Sequence, residues 1–152
     1  MPDLRELYQE VIFDHNRKPR NFGRLAGANR SAEGVNPLCG DKLTLYLKTA
    51  DGVIEDVSFE GTGCAISTAS ASLMTESLKG KTEAQAQALF EEFHALVTGS
   101  DGTQAAASLG KLDVLCGVRD FPGRVKCATL AWHTFQAALH DETQPVTTES
   151  NP

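Results

Sequence analysis

Lys42-Leu43-Thr44-Leu45-Tyr46-Leu47-Lys48-Thr49-Ala50-Asp51-Gly52-Val53 sets leucine against lysine, threonine and tyrosine at every second position. That period belongs to a strand with one buried face. Asp51-Gly52 is a two-residue hairpin signal, and Val53, Val57 and Phe59 fall in the return strand. An earlier short strand through about residues 30–37 makes the sheet three-stranded.

Outward from the hairpin the period changes. Residues 3 to about 17 predict an amphipathic helix: Asp3 and Glu6 resemble a capping box, and Leu4, Leu7, Tyr8, Val11 and Ile12 share a face. Lys18-Pro19 ends it, because the residue before proline is pushed out of the α region. Residues 19–34 are glycine- and arginine-rich and read as loop or irregular strand. Residues 65–79, rich in Ala and Ser, predict a helix closed by Gly80. Thr82, with Gln85 behind it, caps another whose stripe is Ala86, Leu89, Phe93 and Leu96. A short apolar helix is expected around Leu109–Leu115. Pro122 opens the last helix, in which Val125, Ala128, Trp132, Phe135 and Leu139 recur at spacings of three and four. Strands followed by a run of helices indicate an α+β domain, a three-stranded antiparallel sheet with helices packed on one face. Residues 1–140 form this single domain, and the polar tail 141–152 is expected to be disordered.

The chain has 152 residues, enough for one domain with a sizeable core. Its 41% hydrophobic and 22% charged content are those of a soluble globular protein. A net charge of −6 argues against a broad nucleic-acid footprint. No apolar run approaches the roughly 20 residues that span a bilayer, and the acidic, amphipathic start is not that of a signal peptide. A reducing cytoplasm is expected, where cysteines bind metal or do chemistry more often than they form disulfides.

The four cysteines stand at 39, 64, 116 and 127, with no C-x-x-C among them. Cys39-Gly40-Asp41 places a thiol and a carboxylate two residues apart, and in an extended strand both would point the same way. Cys64 follows Gly61-Thr62-Gly63 at a helix start, where free amides and the dipole favour an anionic sulfur. Cys127 lies near the start of the last helix, off its apolar stripe and close to Arg124 and Lys126. Cys116, in an apolar stretch, reads as a structural thiol. If the fold brings Cys39, Asp41, Cys64 and Cys127 together, three thiolates and a carboxylate suit tetrahedral Zn²⁺ at formal charge −2, with Arg124 and Lys126 placed to offset it. The same donors could hold an iron–sulfur cluster. The histidines are weaker candidates. His94 and His140 read as surface groups, His133 stands too far along its helix from Cys127, and His15 suits a helix C-terminus as a cation.

At these motifs the chain resembles the IscU/NifU-N family of iron–sulfur cluster assembly proteins, and specifically its SufU branch. The resemblance spans about residues 3–140. It includes His15-Asn16-Arg17-Lys18-Pro19-Arg20-Asn21-Phe22-Gly23, Asn36-Pro37-Leu38-Cys39-Gly40-Asp41 and Gly61-Thr62-Gly63-Cys64-Ala65-Ile66-Ser67. Scaffold-type members carry histidine before the third cysteine, where this chain has Lys126. They also carry a Leu-Pro-Pro-Val-Lys chaperone motif, where this chain reads Phe121-Pro122-Gly123-Arg124-Val125-Lys126. Leu109–Phe121 looks like the insertion of SufU proteins, and the run Lys126 to Trp132 matches that branch as well.

The resemblance implies a compact α+β fold with Cys39, Asp41, Cys64 and Cys127 converging at one exposed end. It implies a zinc-dependent sulfurtransferase that accepts persulfide sulfur from a SufS-type, PLP-dependent cysteine desulfurase and serves downstream cluster-assembly machinery. The alternative is a scaffold that assembles and transfers a transiently bound iron–sulfur cluster. A purely structural zinc domain is disfavoured, since closed sites seldom use Asp. Cys39, on a proline-preceded and glycine-followed loop, is the expected sulfur acceptor. By the resemblance, the partner frees it by supplying a replacement zinc ligand. Arg124 would stabilise the freed thiolate or dock the partner. The competing assignment, by the likeness to scaffold-type relatives, makes Cys127 the acceptor.

Overall fold

The expected hairpin forms the centre of the sheet. In the computed structural model, which describes residues 4–37, 40–98, 122–140 and 146–147, β1 (Arg30–Asn36), β2 (Asp41–Ala50) and β3 (Val53–Thr62) follow one another in antiparallel pairing. Asp51 and Gly52 turn the chain with φ of 53° and 76°, the left-handed pair that matches the twist of the flanking strands. Leu43, Leu45 and Leu47 are buried while Lys42 and Lys48 face solvent. The expected strand near 30–37 is β1, and it begins where the irregular stretch after α1 ends.

Within the segment read as a tail, Val146–Thr147 form a short strand, β4, parallel to β1 through Gly34↔Val146 and Val35↔Thr147. The sheet order is β3-β2-β1-β4. The rest of 141–152 lies outside the described residues, as do Cys116 and the helix expected at Leu109–Leu115.

Four helices are described: α1 (Leu4–Arg17), α2 (Ala65–Leu78), α3 (Glu83–Thr98) and α4 (Pro122–Leu139). The α3 capping box closes as expected, with the Gln85 amide donating to Thr82 Oγ1 at 3.1 Å and Thr82 N–H to Gln85 Oε1 at 3.0 Å. Helix α4 departs from its expected one-sided stripe. Residues 127–132 are buried without interruption, because α4 packs on β1 and β2 below it and on α2 and α3 at its flanks. A helix enclosed on several sides needs no polar face. Trp132 stacks on Phe93 with centroids 4.6 Å apart, and Leu45, Leu47, Ile54, Leu73 and Met74 fill the core around them. An added Cβ on Gly34 would overlap Thr134 Oγ1, so glycine lets β1 and α4 approach this closely.

His15 has a role that periodicity does not report. It stands in the last turn of α1 as expected but is 1% exposed, with Nδ1 2.7 Å from Ser72 Oγ and Nε2 3.5 Å from Glu76 Oε1 on α2. It pins α1 to α2. Among the described residues no helix is long and apolar enough to cross a membrane.

Candidate metal centre

The parity that buries the β2 leucines also turns Asp41 inward, because Asp41, Leu43, Leu45 and Leu47 share one face. Asn36 is its antiparallel partner on β1 and shares the inward parity of Ala32 and Gly34. Gly40 precedes Asp41 with φ of 70°, so the stretch before Asp41 turns at glycine instead of running extended as the Cys-Gly-Asp spacing suggested. Cys39 itself lies outside the described residues.

Cys64 is the N-cap of α2, at φ −71° and ψ 169°, and its sulfur accepts the Ser67 amide at 3.4 Å. Sulfur seldom serves as a cap, but here it occupies the position that satisfies an orphan amide of the first turn. The Cys64 amide donates to Asp41 Oδ1 at 2.8 Å. Cys127 stands in the second turn of α4, beyond the first turn to which dipole effects are mostly confined. Beside it, Ser70 Oγ donates to the Ala128 carbonyl at 2.5 Å and fastens α2 to α4.

These placements bring the donor atoms of Asp41, Cys64 and Cys127 within 4.8 Å of one another. Asp41 is 2% and Cys127 3% exposed, while Cys64 is half-buried. Donors around a tetrahedral zinc stand about 3.5–3.8 Å apart, given bonds of about 2.0–2.3 Å. The cluster therefore needs to close by no more than about 1.3 Å around an ion. Two sulfurs and an oxygen fit zinc, and their soft character fits iron as well.

Three of the four expected ligands thus converge. Arg124 is exposed on the first turn of α4 and Lys126 is half-buried. No histidine joins the cluster among the described residues. The His94 and His133 rings meet at 5.9 Å between α3 and α4, with Phe90 against both. His94 is therefore half-buried and not a surface group. Burial, and then the His94 charge, pushes His133 below the usual histidine range. His140 is exposed, as expected.

Two residues quoted within the motifs have roles that the sequence reading did not assign. The Asn36 side chain, 0% exposed, points its Nδ2 at Asp41 Oδ2 at 3.3 Å and at Cys127 Sγ at 3.5 Å. Gly63 leaves room for the carboxylate, since a Cβ there would stand 2.8 Å from Asp41 Oδ1. Residue type gave no signal for Asn36; its register opposite Asp41 would have done so.

Comparison with known proteins places the chain in a family. Residues 7–128 match the family described as NifU-like N terminal domain. The iron–sulfur cluster assembly scaffold protein IscU of Streptococcus pyogenes serotype M1 is 41% identical over 90% of this chain and 84% of its own. The zinc-dependent sulfurtransferase SufU of Bacillus subtilis is 39% identical over 92% of this chain and 94% of its own. A candidate iron–sulfur cluster assembly scaffold protein for the SUF system from Fervidobacterium islandicum superimposes with a TM-score of 0.80 at 35% identity, covering 88% of this chain and 97% of that one. With a family match across most of its length and relatives alike over about nine tenths of it, this chain belongs to the NifU-like N-terminal domain family, whose members here include proteins named IscU and SufU.

Proposed function

We propose that this protein is a zinc-dependent sulfurtransferase of the cytoplasm. In this reading it takes persulfide sulfur from a SufS-type, PLP-dependent cysteine desulfurase and passes it on for iron–sulfur cluster assembly. The observation that carries the reading is the convergence of Asp41, Cys64 and Cys127 into a donor set without histidine. Lys126 before Cys127, where scaffold-type relatives carry histidine, supports the same choice. So does likeness to a relative named for zinc-dependent sulfur transfer.

Asp41, Cys64 and Cys127 would hold the zinc with Cys39 as the fourth ligand. Bound zinc would supply a positive centre that keeps several thiolates anionic side by side. Cys39 is the sulfur acceptor. Its thiolate attacks the terminal sulfur of the partner's persulfide, a new S–S bond forms, and the old S–S bond breaks with its electron pair leaving on the partner's cysteine. Cys64 and Cys127, each on a helix, remain in place, and Asp41 stays fixed by the Cys64 amide. The Arg124 guanidinium, on the exposed first turn of α4, offers a cation to the persulfide or to the docking partner.

A scaffold role is the second reading, favoured by likeness to a relative named for it. Incubation with a desulfurase and cysteine, alkylation and peptide mass spectrometry separate the two. The expected result is a persulfide on Cys39 that disappears in Cys39→Ser. Sulfur found first on Cys127, with Cys39→Ser still accepting it, overturns the assignment of Cys39. A bound iron–sulfur chromophore formed with no protein persulfide overturns the sulfurtransferase reading in favour of the scaffold.

A further inference from the structure

Asn36 is fully buried, and its amide nitrogen faces two acceptors of the cluster, a carboxylate oxygen at 3.3 Å and a sulfur at 3.5 Å. The donor nitrogen faces them, since the amide oxygen in that position would meet two other acceptors. We infer that Asn36 is a positioning residue of the metal centre: one side-chain amide, bonded at once to Asp41 on β2 and Cys127 on α4, holds both in the orientation that ligates. The inference rests on the metal-centre reading above and extends it from the donors to the group that aims them.

The sequence places this amide with little freedom. Asn36 and Asp41 face each other at the closing pair of the β1–β2 ladder, and Gly34, two residues back, admits α4 against β1. Cys127 is thereby brought over the end of β1. The three described donors are then each held by a protein N–H: Cys64 by the Ser67 amide, Asp41 by the Cys64 amide and Asn36, and Cys127 by Asn36. Only Asn36 among these donors is a side chain, so it alone can be removed without altering the backbone. A hydrogen bond to a thiolate withdraws electron density from sulfur, so Asn36 also makes Cys127 the less nucleophilic sulfur and suits it to stay a ligand.

The test is metal binding by Asn36→Leu, which keeps the volume and removes both donors, and by Asn36→Ala. Thr75→Val serves as a control that loses a buried hydroxyl away from the cluster. Far-ultraviolet circular dichroism confirms that each variant folds. Zinc affinity, measured by competition with a chromogenic chelator, is expected to fall about 10- to 100-fold in both Asn36 variants, the range for lost outer-shell partners. It should stay at wild type in Thr75→Val. With Co²⁺ as probe, the sulfur-to-cobalt charge-transfer band should shift to lower energy in the Asn36 variants, because a thiolate without its N–H donor gives up charge more easily. Loss of stability alone would not move that band. Unchanged affinity and an unshifted band overturn the inference while leaving the centre intact. A wild-type protein that binds neither ion overturns the centre and the inference together.

Discussion

Gly63→Ala asks whether the Asp41 carboxylate is seated for ligation. The backbone of Gly63 lies outside the left-handed region, so the added methyl causes no dihedral strain. Its effect is steric: the Cβ would stand 2.8 Å from Asp41 Oδ1, 3.3 Å from Asp41 Cγ and 3.3 Å from Ser67 Cβ. The carboxylate has nowhere easy to move, because Cys64 N–H holds Oδ1 at 2.8 Å and Asn36 Nδ2 holds Oδ2 at 3.3 Å. Displacing it sacrifices a hydrogen bond to a charged group, about 1.5–3 kcal/mol. At 1.4 kcal/mol per tenfold, zinc affinity should drop about 10- to 100-fold. Chelator competition reads the affinity, and urea denaturation of the metal-free protein reads the stability. Gly61→Ala is the informative companion. Gly61 has φ of 144°, and a Cβ there would overlap the Lys42 carbonyl oxygen in the β2–β3 ladder. Its cost should therefore appear mainly in stability. Gly63→Ala binding zinc with wild-type affinity would refute the claim that Asp41 is a ligand held in this seat.

Two further outcomes are expected. His133 has its folded pKa depressed by burial, so the neutral form is the one the fold accepts. Stability is then fully present above the unfolded histidine value of 6.5 and is lost as pH falls below it. His133→Gln should flatten that part of the stability–pH curve, and a curve of unchanged slope would contradict the assignment. Charge reversal at Arg17, exposed at the end of α1, and at Arg20, half-buried just beyond it, should slow association with a SufS-type desulfurase more in low salt than in high salt. Arg20 is paired to Asp14 at 2.5 Å, so the Arg17 variant is the cleaner one. Kinetics that ignore salt would sink this electrostatic role.

The parts of the fold set by local chemistry were legible in the sequence. Leucine alternation over 43–47 and Asp51-Gly52 located the hairpin, and Thr82 with Gln85 located the start of α3, because each signal lies within a few residues of what it controls. The candidate ligands Asp41, Cys64 and Cys127 were legible as residue types beside glycine turns and helix starts. What escaped depends on contacts between distant segments. His15 meets Ser72 on another helix. Burial of α4 on several sides follows from packing by α2, α3 and the sheet. Asn36 acquires its role only when β1 pairs in a particular register with β2 and α4 lies across them. Periodicity reports one face of one element, and these facts belong to two or three elements at once.

Metal analysis of the protein purified without added iron tests the central claim most directly. Zinc should copurify at about one ion per chain, the stoichiometry of a four-ligand site. It should fall sharply in Cys64→Ser and Cys127→Ser and persist in Cys116→Ser. Zinc retained in full by both the Cys64 and Cys127 variants, or lost equally in Cys116→Ser, would contradict the account.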